Sequence, residues 1–168
     1  DGEATEILWC VVMPIAPKFH VEHILNLALQ MKLSPEKVRK KQLKAVEELI
    51  ADIQEETLYP LDYVVYRITE YRGDEIEQPM FVGAALIGDL VALIAVVSRS
   101  LTFDAQGMLT VNEAAEVLQV STRTISRLRH EGLVFYWVVE LDGRYRLGCT
   151  KGMLKSFKER KKNRLMTA

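Results

Sequence analysis

The chain has 168 residues, 49% of them hydrophobic and 27% charged, with nine glycines and five prolines. That balance suits one ordinary globular domain or two small ones, and excludes a disordered or low-complexity chain. The net charge of −1 conceals a split. Residues 1–107 hold 10 Lys+Arg against 17 Asp+Glu, a net −7, and residues 108–168 hold 12 against 6, a net +6, which points to different partners for the two parts.

Glu6 to Met13 reads as a short strand or a helical turn, ended by Pro14 and Pro17. Its apolar core, Ile7 to Val12, is short, follows acidic residues and lacks a basic leader, so a signal peptide is not expected. The two cysteines, Cys10 and Cys149, stand alone without a CxxC partner. They indicate neither a zinc site nor a disulfide framework, and fit a reducing cytoplasm as packing residues.

Phe19 to Met31 carries Phe19, Ile24, Leu27, Ala28 and Met31 at the spacing of an amphipathic helix. His20 and His23 lie three apart there, a spacing that metal sites use, but a third ligand is not evident and no metal is assigned. A second helix starts with Ser34 as N-cap and Pro35 at the first helical position, and runs to about Glu56. Val38, Leu43, Val46, Leu49, Ile50 and Ile53 form its apolar stripe. Its basic start (Lys37, Arg39, Lys40, Lys41, Lys44) opposes the helix dipole, so packing must sustain it.

A third helix is expected from Pro60, with Leu61, Val64, Val65 and Ile68 on one face and Tyr59, Tyr63 and Tyr66 along another, where aromatics usually pack. Arg72 to Met80 reads as a polar loop. Val82 to Ser100 is apolar nearly all round and so a buried central helix. Its Asp89 and two glycines, and its length, keep it from reading as a membrane span. Thr102 to Met108 serves as a linker into the second unit.

That unit is strongly patterned. Thr110 and Glu113 make a capping box for a helix that buries Ala114, Ala115, Val117 and Leu118. Gln119 and Val120 turn the chain, Ser121 caps a second helix from Thr122 to Glu131, and Gly132 supplies a left-handed stop. Val134, Tyr136, Val138 and Glu140 then alternate up to Asp142-Gly143, with Tyr145 and Leu147 beyond, which is a hairpin signal. A last helix runs from Lys151 to about Leu165, amphipathic through Met153, Leu154 and Phe157, and carries the basic run KERKKNR.

The second short helix buries Ile125 and Leu128 and turns Arg123, Arg127 and His130 outward, with Thr122, Thr124 and Ser126 beside them. Arginine forks suit guanine edges and phosphates, and hydroxyls suit both, so this face is the candidate major-groove surface. On the hairpin, Arg144 and Arg146 share one face with Tyr145 packed beneath, as a wing that reaches the backbone or minor groove would have them. Lys158, Arg160, Lys161, Lys162 and Arg164 offer either non-specific phosphate attraction or simply a solvated helix end.

The run of Thr110, Glu113, Ala114, Ala115, Leu118, Val120, Ser121, Arg123, Thr124 and Ile125 resembles the excisionase and MerR-like winged-helix family over Leu109 to Leu147. The resemblance implies DNA binding through the second helix and the wing. More broadly, Tyr59 to Arg72, Phe81 to Leu90, the helix-turn-helix and the GRYRLG hairpin together resemble the N-terminal region of RNA polymerase sigma factors of planctomycete type. That likeness spans about Pro35 to Arg164 and implies either the N-terminal part of a longer factor or a stand-alone relative.

The expected fold is therefore mainly α: an acidic helical domain over residues 1–103, then a small winged helix-turn-helix with a β-hairpin over residues 108–168. The expected partners are double-stranded DNA, RNA polymerase or another protein on the helical domain, and a second copy of the chain as a homodimer, with no membrane and no cofactor. A phosphate loop, a nucleophile elbow and an acid/base pair are all missing from the sequence, so a cytoplasmic DNA-binding protein in transcription is expected rather than an enzyme. The alternative is a protein-interaction module whose helix-turn-helix does not bind DNA.

Overall fold

The computed structural model describes residues 18–167, and the reading of Glu6 to Met13 lies outside them. Helix α1 (Glu22–Met31) buries Ile24, Leu27, Ala28 and Met31, as its spacing predicts. Its entry is held from elsewhere: the Asp89 carboxylate accepts the backbone N–H groups of His20 (2.9 Å) and Val21 (2.6 Å).

Helix α2 (Glu36–Asp52) begins one residue later than expected, with Pro35 rather than Ser34 at the N-cap position. It also ends at Asp52 instead of Glu56, because Ile53 turns extended and is itself buried. The chain then forms strand β1 (Leu58–Pro60), helix α3 (Leu61–Thr69) and strand β2 (Met80–Val82). β1 and β2 pair antiparallel, Leu58 opposite Val82 and Pro60 opposite Met80. This small sheet was not expected from the sequence. Three-residue strands, one containing proline, are too short to show a period of two.

Helix α4 (Gly83–Arg99) is the central element, with Leu86, Ile87, Leu90, Leu93, Ile94 and Val97 all inside the core. A side chain at Gly83 would collide with the Gln54 carbonyl, so glycine is what lets α4 start against the end of α2. Among the described residues, none of the helices is long and apolar enough to cross a membrane.

Thr102 to Met108, expected as a linker, are built into the structure together with the residues that flank them. Leu101 and Ala105 are buried. The Val139 N–H donates to the Phe103 carbonyl (2.7 Å), the Ala105 N–H donates to the Val139 carbonyl (3.1 Å), and Leu109 pairs with Cys149 through both backbone groups. Helices α5 (Val111–Leu118) and α6 (Thr122–His130) follow, then strands β3 (Tyr136–Val139) and β4 (Tyr145–Gly148) and helix α7 (Lys151–Thr167). The expected mainly helical fold with a C-terminal β-hairpin is what forms.

Two hydrophobic clusters meet at residues 133–138. Val134, Tyr136 and Val138 complete the cluster of α1 to α4, whereas Leu133 and Phe135 face Ala114, Ala115, Ile125, Leu128, Leu154 and Phe157. Alternating side chains thus stitch one segment to both halves. The buried Ser98 hydroxyl of α4 reinforces the seam by accepting the Trp137 N–H at 2.9 Å.

Candidate nucleic-acid interface

The geometry of α5 and α6 follows from local chemistry. Thr110 Oγ1 accepts the Glu113 N–H and Glu113 Oε1 accepts the Thr110 N–H, both at 3.1 Å. Hydrogen bonds to the carboxylate, first from the Thr110 backbone N–H and then from its side chain, lower the Glu113 pKa. Ala114 and Ala115 are buried, so α6 can approach closely. Val117, expected inside, is 50% exposed. The contact arc of α5 is Ala114, Ala115 and Leu118, and Val117 falls beyond its edge.

Gln119 adopts a left-handed conformation (φ 56°) and the Val120 N–H returns to the Ala115 carbonyl at 3.0 Å. Ser121 Oγ then accepts the Thr124 N–H at 3.1 Å and starts α6. Ile125 and Leu128 are buried, and the helix stops at His130 with Gly132 at φ 109°. The space a side chain would need at Gly132 is filled by Arg160 and Ile87. At the same end, Gly88 of α4 lies against the backbone of His130. The end of α6 is therefore set by the packing of α4 and α7, not by α5 alone.

Of the residues expected to meet DNA, Thr122, Arg123, Ser126, Arg127 and His130 are exposed together on α6. Thr124 is half-buried, its hydroxyl 3.1 Å from Ser121 Oγ in the cap. Among the described residues the side chains of Arg123, Arg127 and His130 form no salt bridge and no hydrogen bond within the protein. Arg129, on the inner side, stacks over Phe135 at 5.7 Å, and burial pushes its pKa down.

The hairpin presents only part of what was expected. Arg144 is exposed (86%) and lies 3.4 Å from Asp142 at the tip, beside the fully exposed Leu141. Arg146 is turned inward instead. Its guanidinium pairs with Glu140 and donates to the carbonyls of Ala105 (3.2 Å), Met108 (3.0 Å) and Leu147 (3.1 Å). Tyr145 does not pack beneath the arginines: its ring lies under the Arg99 guanidinium at 3.7 Å and stays partly exposed.

The C-terminal basic run is likewise divided. Arg160 donates to the Ile50 carbonyl at the end of α2 and to the Glu131 carbonyl at the end of α6, both at 3.2 Å, and Lys161 pairs with Glu131. Lys158 and Lys162 are exposed. His20 approaches Asp89 (3.2 Å) and His23 lies against the Phe81 ring (5.8 Å).

The roles of the residues that hold this candidate face in place do not stand out in the sequence. Asp89 was a visible anomaly in an apolar run, yet its role as an acceptor for the start of α1 needs a partner 68 residues away. Arg160 looked like any member of a basic run.

A family model described as a helix-turn-helix domain matches residues 108–147, from just before the Leu109–Cys149 bridge to within β4. Neither the search of curated proteins nor that of solved structures returned a match. Residues 108–147 are thus similar to a helix-turn-helix domain, and α5 and α6 form its two helices.

Proposed function

We propose that the protein binds double-stranded DNA in a sequence-specific way through α6 and acts in transcription, as a binding protein rather than an enzyme, in the cytoplasm. The observation that carries this reading is the exposed α6 face, where Arg123, Arg127 and His130 stand without partners on a helix whose geometry is fixed on every other side. Unpaired arginines on a preorganised helix give bidentate donors to base edges and phosphates with little reorganisation. Thr122, Thr124 and Ser126 add hydroxyls at the N-terminal end, and Arg144 adds a backbone contact from the wing. Arg146 has a positioning role in this reading: it fixes the wing and does not touch DNA.

Within that function the finer reading is a regulator or the N-terminal part of a sigma-like initiation factor, with the helical half contacting RNA polymerase or a second copy. Enrichment of duplexes from a random pool, followed by mobility shift, tests DNA binding. Arg123→Ala and Arg127→Ala together should weaken binding of the selected duplex about 100-fold or more, since each base-reading arginine is worth about 1–3 kcal/mol. Undiminished binding by this double variant would sink the proposal. The rival, an interaction module that has lost DNA binding, predicts no enriched duplex at all.

A further inference from the structure

The acidic half is not uniformly acidic. Six of its ten cations, Lys32, Lys37, Arg39, Lys40, Lys41 and Lys44, fall within residues 32–44, where Glu36 is the single carboxylate. Lys37, Lys40, Lys41 and Lys44 are all exposed on the N-terminal half of α2, with Lys37, Lys41 and Lys44 at the i, i+4, i+7 spacing of one stripe. Lys37 sits in the first turn, where the helix dipole opposes a cation, so local helix stability does not explain it. Lys40 and Lys41 pair only with the exposed Glu36 and Glu70, and such surface pairs exchange readily for a stronger anion. Lys37 and Lys44 form no salt bridge among the described residues.

The stripe adjoins the wing. Arg39 donates to the carbonyl (3.0 Å) and hydroxyl (2.9 Å) of Ser100, next to Arg99, whose guanidinium covers Tyr145 of β4. Lys40 lies 5.9 Å from the Phe103 ring, which packs edge-on against Tyr136 of β3. Both strands of the wing are thus connected to the basic turns of α2 through one layer of side chains.

We propose that Lys37, Lys40, Lys41 and Lys44 form a second phosphate-contacting surface, which engages the duplex flanking the site on the side of the wing. The proposal rests on the reading that α6 binds DNA. A regular array of exposed lysines suits the sugar-phosphate backbone, because ammonium groups act as point charges without base preference. The acidic remainder of the helical half would then keep DNA off its other faces.

The test uses the full chain and two duplexes that share the selected site, one trimmed to it and one extended by a helical turn on each flank. Binding is measured across a salt series for the natural chain, for Lys37→Gln/Lys40→Gln/Lys41→Gln/Lys44→Gln, and for Arg123→Ala/Arg127→Ala. The proposal predicts a steeper salt slope for the natural chain on the extended duplex, by about 0.9 per lysine engaged, and loss of that extra slope in the quadruple glutamine variant. Thermal melting should show that variant folded, since Lys and Gln have similar helix propensity. Equal slopes for the natural chain and the quadruple variant, with binding still lost in the double alanine variant, would overturn the α2 proposal and leave α6 standing, the outcome expected if the stripe meets an acidic protein. Failure of the natural chain to bind either duplex would overturn both.

Discussion

α6 carries four basic side chains and α7 seven, and the two helices engage their arginines differently. On α6, Arg123, Arg127 and His130 point to solvent without partners, and the helix is held by Ile125, Leu128 and its Ser121 cap. On α7, Arg160 and Lys161 are drawn into the protein, bridging the ends of α2 and α6. The wing repeats the contrast within one strand, with Arg144 outward and Arg146 spent on backbone carbonyls. Counting cations alone therefore does not locate a candidate interface, because Arg146, Arg160 and Lys161 are engaged within the protein. What distinguishes the α6 face is that its two exposed arginines, Arg123 and Arg127, form no salt bridge among the described residues.

Breaking the structural arginines should show the largest effect on stability. Arg146→Ala removes donors to three carbonyls and the Glu140 ion pair, and should cost about 2–3 kcal/mol by urea denaturation, since hydrogen bonds from charged groups are the strong ones. A loss under half a kcal/mol would return Arg146 to the list of solvent-facing groups. Arg160→Ala should cost about 2 kcal/mol and loosen the end of α6, visible as faster amide exchange at His130 to Leu133.

Thr110→Ala comes next. It removes the side chain that accepts the Glu113 N–H, and should lower stability by about 1 kcal/mol without altering the α6 face. Smaller still is the effect of Glu47. Burial pushes its carboxyl pKa up, with the Tyr136 hydroxyl hydrogen-bonded to it and opposing that shift. An acid whose pKa is higher folded than unfolded contributes stability that is full below the unfolded value and lost as pH rises through the folded one. Glu47→Gln should therefore flatten the fall in melting temperature as pH rises above the ordinary carboxylate range. A variant curve parallel to that of the natural chain would show that Glu47 does not couple α2 to β3. Smallest of all, Lys158→Ala and Lys162→Ala should leave melting unchanged, as exposed substitutions do.

The parts of this molecule that were legible in the sequence are those determined within a turn or two of chain. The Thr110–Glu113 box, the Ser121 cap, Gly132 and the Asp142-Gly143 turn all act on neighbours a few residues away, and each appears where its pattern placed it. The partners of Arg146 are different. Two of its carbonyls lie 41 and 38 residues upstream, and nothing in the alternation of β4 distinguishes it from Arg144. The β1–β2 pairing, the anchoring of residues 101–109 and the Arg160 bridge are illegible for the same reason, since each depends on where distant backbone carbonyls come to lie.

The most direct test of the contrast between α6 and α7 is the salt dependence of binding to a selected duplex, from about 50 to 200 mM, for the natural chain and for Arg123→Gln/Arg127→Gln. Affinity should fall steeply with salt for the natural chain, and the pair should bind more weakly with a slope smaller by about 2. Affinity and slope both unchanged in the pair, or binding that ignores salt altogether, would contradict that contrast.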